Sequence, residues 1–367
     1  MSIEEKVQSS LILGSYLDTL GFNNGIWEFN FNYEIKNLYS ANIVTNHIVH
    51  NFFALGGFNI NVSNWNASDD TILMLATRRA CLKGEDIDNY INEYIKVLPD
   101  LEDKKRVSGL NTISTLKLLS KKRDINKIPF SSKMGGNGAA IRTSFIGLHY
   151  YKEEDIDKLI EFSIQSSRLT HNYTLGFLGG LVTALFCSYA CRNIKPWKWC
   201  DMLISLHESK KIDNFMKKTN IYDSYKKTKY DFWKYWYKYR ENRLSKFNLK
   251  PKEFLYAADR TSDLIDYMPE IDINDKNADF SKFGASGIGA TILAYDAILL
   301  TITSGDKILD LESNDLEYSF ENLIYFSTLH FGDNDSTGCI AGCWFGALTG
   351  FQYYNKNIHK QLEFDIL

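Results

Sequence analysis

The chain has 367 residues, which is enough to bury a large hydrophobic core in one to three domains. Its 42 basic and 45 acidic residues give a net charge of −3, so no overall field favours nucleic acid or an anionic membrane. The composition, 44% hydrophobic and 24% charged, is that of a globular protein.

The N-terminus and the cysteines both indicate an intracellular protein. The first ten residues, MSIEEKVQSS, are acidic and polar, whereas a secretory signal begins with positive charge and continues into an apolar stretch. The cysteines form no C-x-x-C pair, and two pairs at i,i+4 spacing lie inside apolar runs, as is typical of buried free thiols. We therefore expect reduced, buried cysteines and a cytoplasmic location. The cysteines are Cys81, Cys187, Cys191, Cys200, Cys339 and Cys343.

The first acidic cluster lies in the stretch SNWNASDDTILMLATRRACL, where Ser68, Asp69 and Asp70 precede apolar residues at helical spacing. This pattern predicts a helix that begins at the cluster. One Ser or Asp suffices to cap a helix, because its oxygen accepts free backbone N–H groups and its charge suits the helix dipole. Two adjacent carboxylates exceed that need and repel each other unless a cation lies between them. Metal binding is therefore favoured over capping alone.

The next candidate is a glycine-rich stretch, KMGGNGAAIR, in which Gly135, Gly136, Asn137 and Gly138 follow one another. These residues can adopt positive φ angles that turn successive backbone N–H groups toward an anion, and a following helix would add its positive end. The stretch is not a Walker loop, and it lacks the last glycine of G-x-G-x-x-G. A plain turn and an anion-binding turn are therefore both open.

Helical periodicity dominates the chain, and clean alternation is scarce, which predicts an all-α fold. Three glycine-rich apolar helices are predicted within residues 175–191, 289–300 and 338–350. The first is uncharged and long enough to raise a transmembrane interpretation. Its glycines and hydroxyls, and Asp296 in the second, instead favour close packing inside a large helical core. His171 lies just before the first of these helices, where an isolated histidine is more often structural than catalytic.

Two further segments are predicted to lie outside this core. Residues 210–252 mix lysines with aromatic residues, which can indicate binding of single-stranded nucleic acid. No RNA-binding fold signature accompanies them, so an amphipathic outer helix with lysine stems along aromatic rings is favoured. Residues 262–282 are acidic and rich in helix breakers, which predicts a loop. No repeat or break in the core pattern divides the chain, so one domain spanning residues 1–367 is expected.

The second acidic cluster, HFGDNDSTGCIAGCWFG, places Asp333, Asp335 and Ser336 before another apolar stretch. It fails as an EF-hand, because Trp344 occupies the position of the bidentate glutamate. The ligands offered by both clusters are carboxylate and hydroxyl oxygens, which favour Mg²⁺, Mn²⁺ or Ca²⁺ over zinc or copper. We expect the two clusters to meet in space and to hold two metal ions that activate water or bind substrate hydroxyls.

Taken in order, these motifs resemble the ADP-ribosylglycohydrolase family, most closely its ADP-ribosylarginine hydrolase branch. The resemblance rests on LDTLGFNNGIWEF, ASDDTILMLAT, GGNGAAIRTSFIGL, RLTHNYTLGFLGGLVTALFCSYA, GASGIGATILAYDAIL and FGDNDSTGCIAGCWFGALTGF, and it spans nearly the whole chain. The combination of S-D-D-T with G-D-x-D-S-T at opposite ends is its specific part. The resemblance implies an orthogonal all-α bundle, a site with two Mg²⁺ ions (Mn²⁺ is the alternative) and release of ADP-ribose from a modified side chain.

The resemblance also implies roles for individual residues. Glu28 matches the glutamate of a mobile flap that can approach the metals. The implied metal ligands are Ser68, Asp69, Asp70, Asp333, Asp335 and Ser336. The implied substrate-binding residues are Gly135, Gly136, Asn137, Gly138 and His171, which match the parts that hold the diphosphate, together with Ser286 and Gly287 in a substrate-lining loop.

Two motifs depart from the family pattern. Where relatives in this branch read S-G-H-D-A-P, this chain reads SGIGAT from Ser286 to Thr291, so a His-Asp pair is absent. The usual G-D-A-L-G appears as LDTLG, from Leu17 to Gly21. The departures lie around the implied ligands and not among them. They bear on acceptor specificity and rate more than on metal binding.

The expected function is hydrolysis of the N-glycosidic bond between ribose and an arginine guanidinium. Asp69 or Asp70 would act as general base, and Glu28 would help to stabilise a positively charged transition state. The expected partners are an ADP-ribosylated protein and the product ADP-ribose, with no nucleic acid and no membrane. Two alternatives stay open: a catalytically silent ADP-ribose binder, suggested by the missing His-Asp pair, and a hydrolase of serine-linked or other ADP-ribose.

Overall fold

The computed structural model describes residues 1–30, 33–247, 257–303 and 317–366. These residues form α-helices joined by short 3-10 turns, which confirms the all-α prediction. The α-helices are α1 (Ile3–Phe22), α2 (Leu38–Ala54), α3 (Asp69–Cys81), α4 (Ile87–Lys96), α5 (Leu98–Leu101), α6 (Leu110–Lys122), α7 (Ser144–His149), α8 (Ile156–Arg168), α9 (Thr174–Cys191), α10 (Trp199–Glu208), α11 (Lys211–Met216), α12 (Tyr222–Asn242), α13 (Ala257–Leu264), α14 (Gly287–Leu300), α15 (Phe320–Thr328) and α16 (Asn334–Thr349). The 3-10 turns are Asn23–Gly25, Gly57–Asn59, Lys104–Arg106, Ile125–Lys127, Ser132–Met134, Ala140–Arg142, Glu153–Asp155, Pro196–Lys198, Leu244–Lys246, Ile265–Tyr267, Phe280–Lys282 and Lys356–Gln361. A small antiparallel hairpin pairs β1 (Ile302–Thr303) with β2 (Glu317–Tyr318), with Ile302 opposite Tyr318.

Helices α1, α9, α14 and α16 form the centre of the fold. Nearly every residue of α9, α14 and α16 is buried, as is α1 from its second turn onward. In the described chain, α9 is the helix long and apolar enough to cross a membrane, and 94% of it is buried inside the fold. It therefore lies in the core, as predicted. The six cysteines are buried and free, which confirms the expectation for the thiols.

Helices α1 and α16 approach each other very closely because glycine lies at their contact. A Cβ atom on Gly21 would lie 2.5 Å from the carbonyl oxygen of Asn334. Real Cβ atoms do not come so near, so a larger residue would force the two helices apart. The close approach brings Asp18 of α1 beside Asp335 of α16.

Within the segment rich in lysine and aromatic residues, residues 211–216 form α11 and residues 222–242 form the long outer helix α12. Its residues Phe232, Trp233 and Trp236 are buried. The Nζ atoms of Lys234 and Lys238 lie 5.2 and 5.4 Å from the centres of tyrosine rings. This arrangement confirms the predicted amphipathic helix. Residues 248–252 of the predicted segment lie outside the described chain.

The predicted loop over residues 262–282 is wrong at both ends. Helix α13 continues to Leu264 and is followed at once by the turn Ile265–Tyr267, and the turn Phe280–Lys282 closes the segment. Leu264 and Ile265 are buried, so packing against the core overrides the acidic, breaker-rich composition.

Asp296, the charged residue of the apolar helix α14, is satisfied by three partners. Arg260 Nε and the Tyr239 hydroxyl each donate to it at 2.8 Å, and Arg243 also pairs with it. Burial raises the pKa of Asp296, but the two guanidinium groups outweigh burial and hold the pKa well below its usual range. The buried network thereby fixes α12 and α13 against α14.

Candidate active site

Two helix N-termini carry the acidic clusters. Ser68 is the N-cap of α3 and accepts a hydrogen bond from the backbone N–H of Asp70 at 3.1 Å, while Asp69 and Asp70 occupy the first turn. Asp333 is the N-cap of α16, and Asp335 lies in the first turn of that helix. The Asp333 side chain makes no capping hydrogen bond, so capping does not account for the second cluster.

The two clusters meet, although they come from opposite ends of the chain. The Ser336 hydroxyl on α16 donates to Asp70 Oδ2 on α3 at 2.9 Å. Carboxylate oxygens of Asp18, Asp70 and Asp335 all lie within 4.8 Å of one another, and the three residues are buried. The charges of Asp69 and Asp333 also act on Asp70. We call Asp18, Asp69, Asp70, Asp333 and Asp335 the acidic centre.

Asp18 is the member of the acidic centre that sequence reasoning missed. Its Oδ1 accepts a hydrogen bond from the Ser68 hydroxyl at 2.6 Å, so this predicted metal ligand is turned toward Asp18. Its Oδ2 accepts from the backbone N–H of Thr71 at 3.1 Å and also from the Thr71 hydroxyl. Asp18 therefore fixes the first turn of α3 against α1. The available signal is a single carboxylate inside the otherwise uncharged stretch LILGSYLDTLGF.

The carboxylates of the acidic centre are held close together without compensating charge. Burial first, and repulsion between the carboxylates second, raise the pKa of Asp18 and of Asp69 to about 7. Burial and repulsion also raise the pKa of Asp70 and of Asp335 well above the usual range. No lysine or arginine in the described chain forms an ion pair with any of the five carboxylates. The missing positive charge must come from outside the described side chains or from protons.

The donor set fits a hard divalent cation. Asp333 Oδ1 and Glu28 Oε2 are buried and have no hydrogen-bond partner among the described residues. Such an oxygen costs free energy unless a cation or a ligand meets it. The carboxylates and hydroxyls that converge here offer oxygen atoms as ligands, which suit Mg²⁺ or Mn²⁺. The buried group of Asp18, Asp70 and Asp335 could hold a metal ion.

Metal removal should make stability depend on pH. The pKa of Asp18 rises from 3.8 to about 7, so the folded metal-free protein holds this proton more tightly than the unfolded chain. Its contribution to the free energy of unfolding is therefore largest at low pH and is lost as the pH rises through about 7. A divalent cation such as Mg²⁺, if it binds the deprotonated carboxylates of the folded state, would restore the loss. We expect the melting temperature in EDTA to fall as the pH rises from about 4 to about 7, and we expect Mg²⁺ to raise it more at pH 7 than at pH 4. A Mg²⁺ effect that is independent of pH would contradict this account.

Asp18→Asn should weaken metal binding by about 10- to 100-fold. Asparagine replaces one of the two accepting oxygens with an NH2 group, so it can no longer accept hydrogen bonds from both Ser68 and Thr71. The measurement is the Mg²⁺ concentration that gives half-maximal turnover. Turnover should partly recover at high Mg²⁺. Glu4→Gln removes an exposed carboxylate from the same helix and serves as the control. An unchanged Mg²⁺ requirement for Asp18→Asn would show that Asp18 has no positioning role.

Glu28 reaches the acidic centre from the segment after α1. It is buried, and its pKa is raised well above the usual range by burial and then by the charge of Asp335. The segment is tied to the loop before α16, since the Phe29 N–H donates to the Gly332 carbonyl at 3.0 Å. Phe29 and Asn30 have φ angles of 49° and 48°, and such strain in a non-glycine backbone persists where the surroundings enforce it. The structure therefore holds Glu28 against the predicted ligands.

The glycine turn, residues 135–138, does not adopt the positive φ angles that its glycines allow. None of its four residues has a positive φ, and only the 3-10 turn Ala140–Arg142 follows directly. The turn therefore does not present its N–H groups through positive φ angles, and no α-helix begins directly after it. Packing explains the glycine: a Cβ on Gly138 would lie 2.7 Å from the His171 ring. Close approach to His171, and not φ, excludes larger residues.

The turn nevertheless leaves backbone donors available and contacts the acidic centre. Asn137 uses its N–H to donate to the Ala285 carbonyl at 3.0 Å, and its Nδ2 donates to Asp333 Oδ2 at 2.8 Å. The N–H groups of Gly136 and Gly138 have no partner among the described residues. These two donors could bind an anion beside the acidic centre.

His171 lies against the glycine turn as an uncharged ring. Burial, followed by the charge of Arg142, lowers the pKa of His171 to about 3. Nδ1 shares a 2.8 Å hydrogen bond with the Thr170 hydroxyl. If that hydroxyl donates, Nε2 carries the ring proton, and Nε2 is the atom that a Cβ on Gly136 would meet at 3.4 Å. His171 can then donate one hydrogen bond to a ligand held by the turn.

The loop of residues 283–286 joins the glycine turn to the acidic centre. Ser286, the N-cap of α14, is paired with Gly136 in a backbone bridge, and the Gly287 N–H donates to the Gly135 carbonyl at 3.1 Å. At the other end of the loop, the Phe283 carbonyl accepts from the Asp333 N–H at 2.9 Å. The predicted substrate-binding residues therefore lie together, with Gly287 contributing backbone and not a side chain.

Glu270 is a second residue that sequence reasoning missed. Its Oε1 accepts the N–H groups of Gly284 at 3.0 Å and Ser286 at 3.3 Å, and its Oε2 accepts the Ser286 hydroxyl at 2.7 Å. Burial raises the pKa of Glu270 to about 7. A Cβ on Gly289 would overlap Glu270 Oε1, so this carboxylate fills the space where the family pattern places an aspartate side chain. No local spacing in the sequence links residues 270 and 289.

The fold and the site define a helical protein with a buried, all-oxygen centre suited to a metal ion. A profile of the ADP-ribosylglycohydrolase family matches residues 1–365. The chain is 33% identical to "ADP-ribosylhydrolase ARH1" of Dictyostelium discoideum over 389 residues, which covers 98% of this chain and 91% of that protein. It is 32% identical to a "Putative ADP-ribosyl glycohydrolase" of Acanthamoeba polyphaga mimivirus over 350 residues, covering 91% of this chain and 62% of the viral protein.

A solved structure titled "ADP-ribosylglycohydrolase-related protein complex" shares the fold. Its TM-score is 0.54 at 14% identity, over 98% of this chain and 93% of that one. The chain belongs to the ADP-ribosylglycohydrolase family, as its motifs suggest, and membership supports a hydrolase that acts on ADP-ribose conjugates.

Proposed function

We propose that this protein is a Mg²⁺-dependent hydrolase that removes ADP-ribose from ADP-ribosylated arginine on intracellular proteins. The observation that carries the proposal is the acidic centre, with Glu28 beside it and no cationic side chain of the described chain to neutralise it. The match to the ADP-ribosylhydrolase ARH1 along nearly the whole chain supports ADP-ribose as the released group. Two metal ions are proposed because two ligand clusters converge.

The acidic centre supplies both metal ligands and a base. Asp70, Asp333 and Asp335 would hold the ions with help from Ser336, and bound Mg²⁺ supplies Lewis-acid polarisation of oxygen atoms. In the reaction, a water oxygen bonds to the anomeric carbon of the ribose while Asp69 or Asp70 takes a proton from that water. The bond from this carbon to the guanidinium nitrogen breaks, and its electron pair leaves with the nitrogen. The proton then passes to the departing guanidine.

The remaining site residues would bind the diphosphate and stabilise the transition state. Gly136 and Gly138 would donate their free N–H groups to the diphosphate, and the uncharged His171 would add one hydrogen bond. The negative charge of Glu28 would favour the positive charge that develops on the ribose ring as the glycosidic bond breaks. Bound Mg²⁺ would lower the raised pKa of Glu28 and so keep its side chain charged.

The test is release of free ADP-ribose from arginine-linked and serine-linked substrates by the purified protein, with Mg²⁺ or with EDTA. We expect release from the arginine linkage that depends on Mg²⁺. Release from the serine linkage alone would keep the hydrolase and change the acceptor. No release from either, with ADP-ribose still bound, would identify a catalytically silent binder and refute the proposal.

A further inference from the structure

Glu270 is a carboxyl group that the proposed hydrolysis does not use. It is half-buried, and it forms no ion pair with a lysine or arginine of the described chain. Its Oε1 already accepts two hydrogen bonds, whereas Oε2 accepts one, from Ser286. A carboxylate oxygen can accept two, so Oε2 retains a free lone pair for a ligand.

The neighbours of Glu270 place it beside both halves of the candidate site. Gly284, which donates to Glu270, accepts a 2.9 Å hydrogen bond from Asn137 of the glycine turn. A Cβ on Gly284 would also lie 3.7 Å from the Cβ of Asp333. Glu270 is thus separated by a single residue from the acidic centre and from the glycine turn.

The charge of a Glu270 carboxylate determines which part of the proposed substrate it can bind. A half-buried carboxylate opposes the anionic diphosphate and favours a cation, because the attraction is stronger where water is partly excluded. The cation of the proposed substrate is the guanidinium, and its planar fork of N–H groups matches a carboxylate. Gly289 has no side chain to displace the carboxylate from this place.

We propose that Glu270 is a specificity-determining residue whose carboxylate binds the guanidinium of the modified arginine. This inference rests on the proposed function and names the contact that recognises its acceptor. The SGIGAT motif lacks the aspartate of the family pattern, and Glu270 supplies a carboxylate in its place.

The test compares Glu270→Gln with wild-type enzyme. Glutamine keeps an oxygen for the Gly284 and Ser286 N–H groups, so the loop is retained while the charge is removed. We expect kcat/KM for an arginine-linked substrate to fall about 10- to 100-fold. The affinity for free ADP-ribose, which has no guanidinium, should stay within about twofold of wild type. Glu270→Asp, which keeps the charge, should recover part of the loss.

Asp272→Asn is the control, because it removes an exposed carboxylate two residues away. An equal fall in ADP-ribose affinity would show that Glu270 only holds the loop or contacts ADP-ribose, and would overturn the inference. Wild-type kcat/KM in Glu270→Gln would also overturn it. Failure of the proposed function is distinguishable, since the wild-type enzyme itself would then release no ADP-ribose from arginine.

Discussion

Asp70→Asn and Asp335→Asn are each expected to lower turnover by about 1,000-fold or more without unfolding the protein. The two carboxylates meet with oxygens within 4.8 Å, and each would be both a metal ligand and part of the charge that retains the ion. Asparagine keeps the volume and removes the charge. The measurement is ADP-ribose release at saturating Mg²⁺, beside a thermal melt.

The melt should separate lost chemistry from lost structure. Asp70 and Asp335 repel each other in the folded state, so either substitution should leave the metal-free protein as stable as wild type or more stable. Asp88→Asn is the matched control, because Asp88 is an exposed carboxylate in the first turn of α4, as Asp70 is in the first turn of α3. Near-normal hydrolysis by Asp70→Asn would remove the metal-centre account.

Glu28→Gln is expected to lower kcat by about 100-fold while changing the affinity for free ADP-ribose little. Glu28 is buried beside the acidic centre, and its Oε2 has no hydrogen-bond partner in the described chain. Its charge would therefore matter most when positive charge develops on the ribose, which is a property of the transition state and not of the bound product. The measurements are single-turnover rate and ADP-ribose binding.

Glu34→Gln controls for the loss of a carboxylate from the same segment, since the Glu34 side chain is 83% exposed and pairs only with Lys36 among the described residues. It should behave as wild type. Equal losses of rate and of ADP-ribose affinity in Glu28→Gln would make Glu28 a binding residue and end its assignment to the transition state.

Sequence patterns predicted the structure correctly where it depends on residues that are close together in the chain. Helical spacing and small residues predicted the buried helices α9, α14 and α16, because a helix that is apolar on all sides has to be covered on all sides. They failed for residues 262–282, where packing of Leu264 into the core outweighs composition. They left the conformation of the glycine turn open, since the sequence does not distinguish a glycine that avoids a clash with His171 from one that needs a positive φ.

The sequence by itself determined the all-α class, the family motifs and the oxygen character of the candidate metal ligands, because these depend on side-chain type and on spacing within a helix. Only the tertiary structure decided that Asp18 joins Asp70 and Asp335, since that contact depends on how closely α1 approaches α16. Only the tertiary structure placed Glu270 against Gly289. Such contacts depend on how distant helices pack, and no local pattern in a single sequence records that packing.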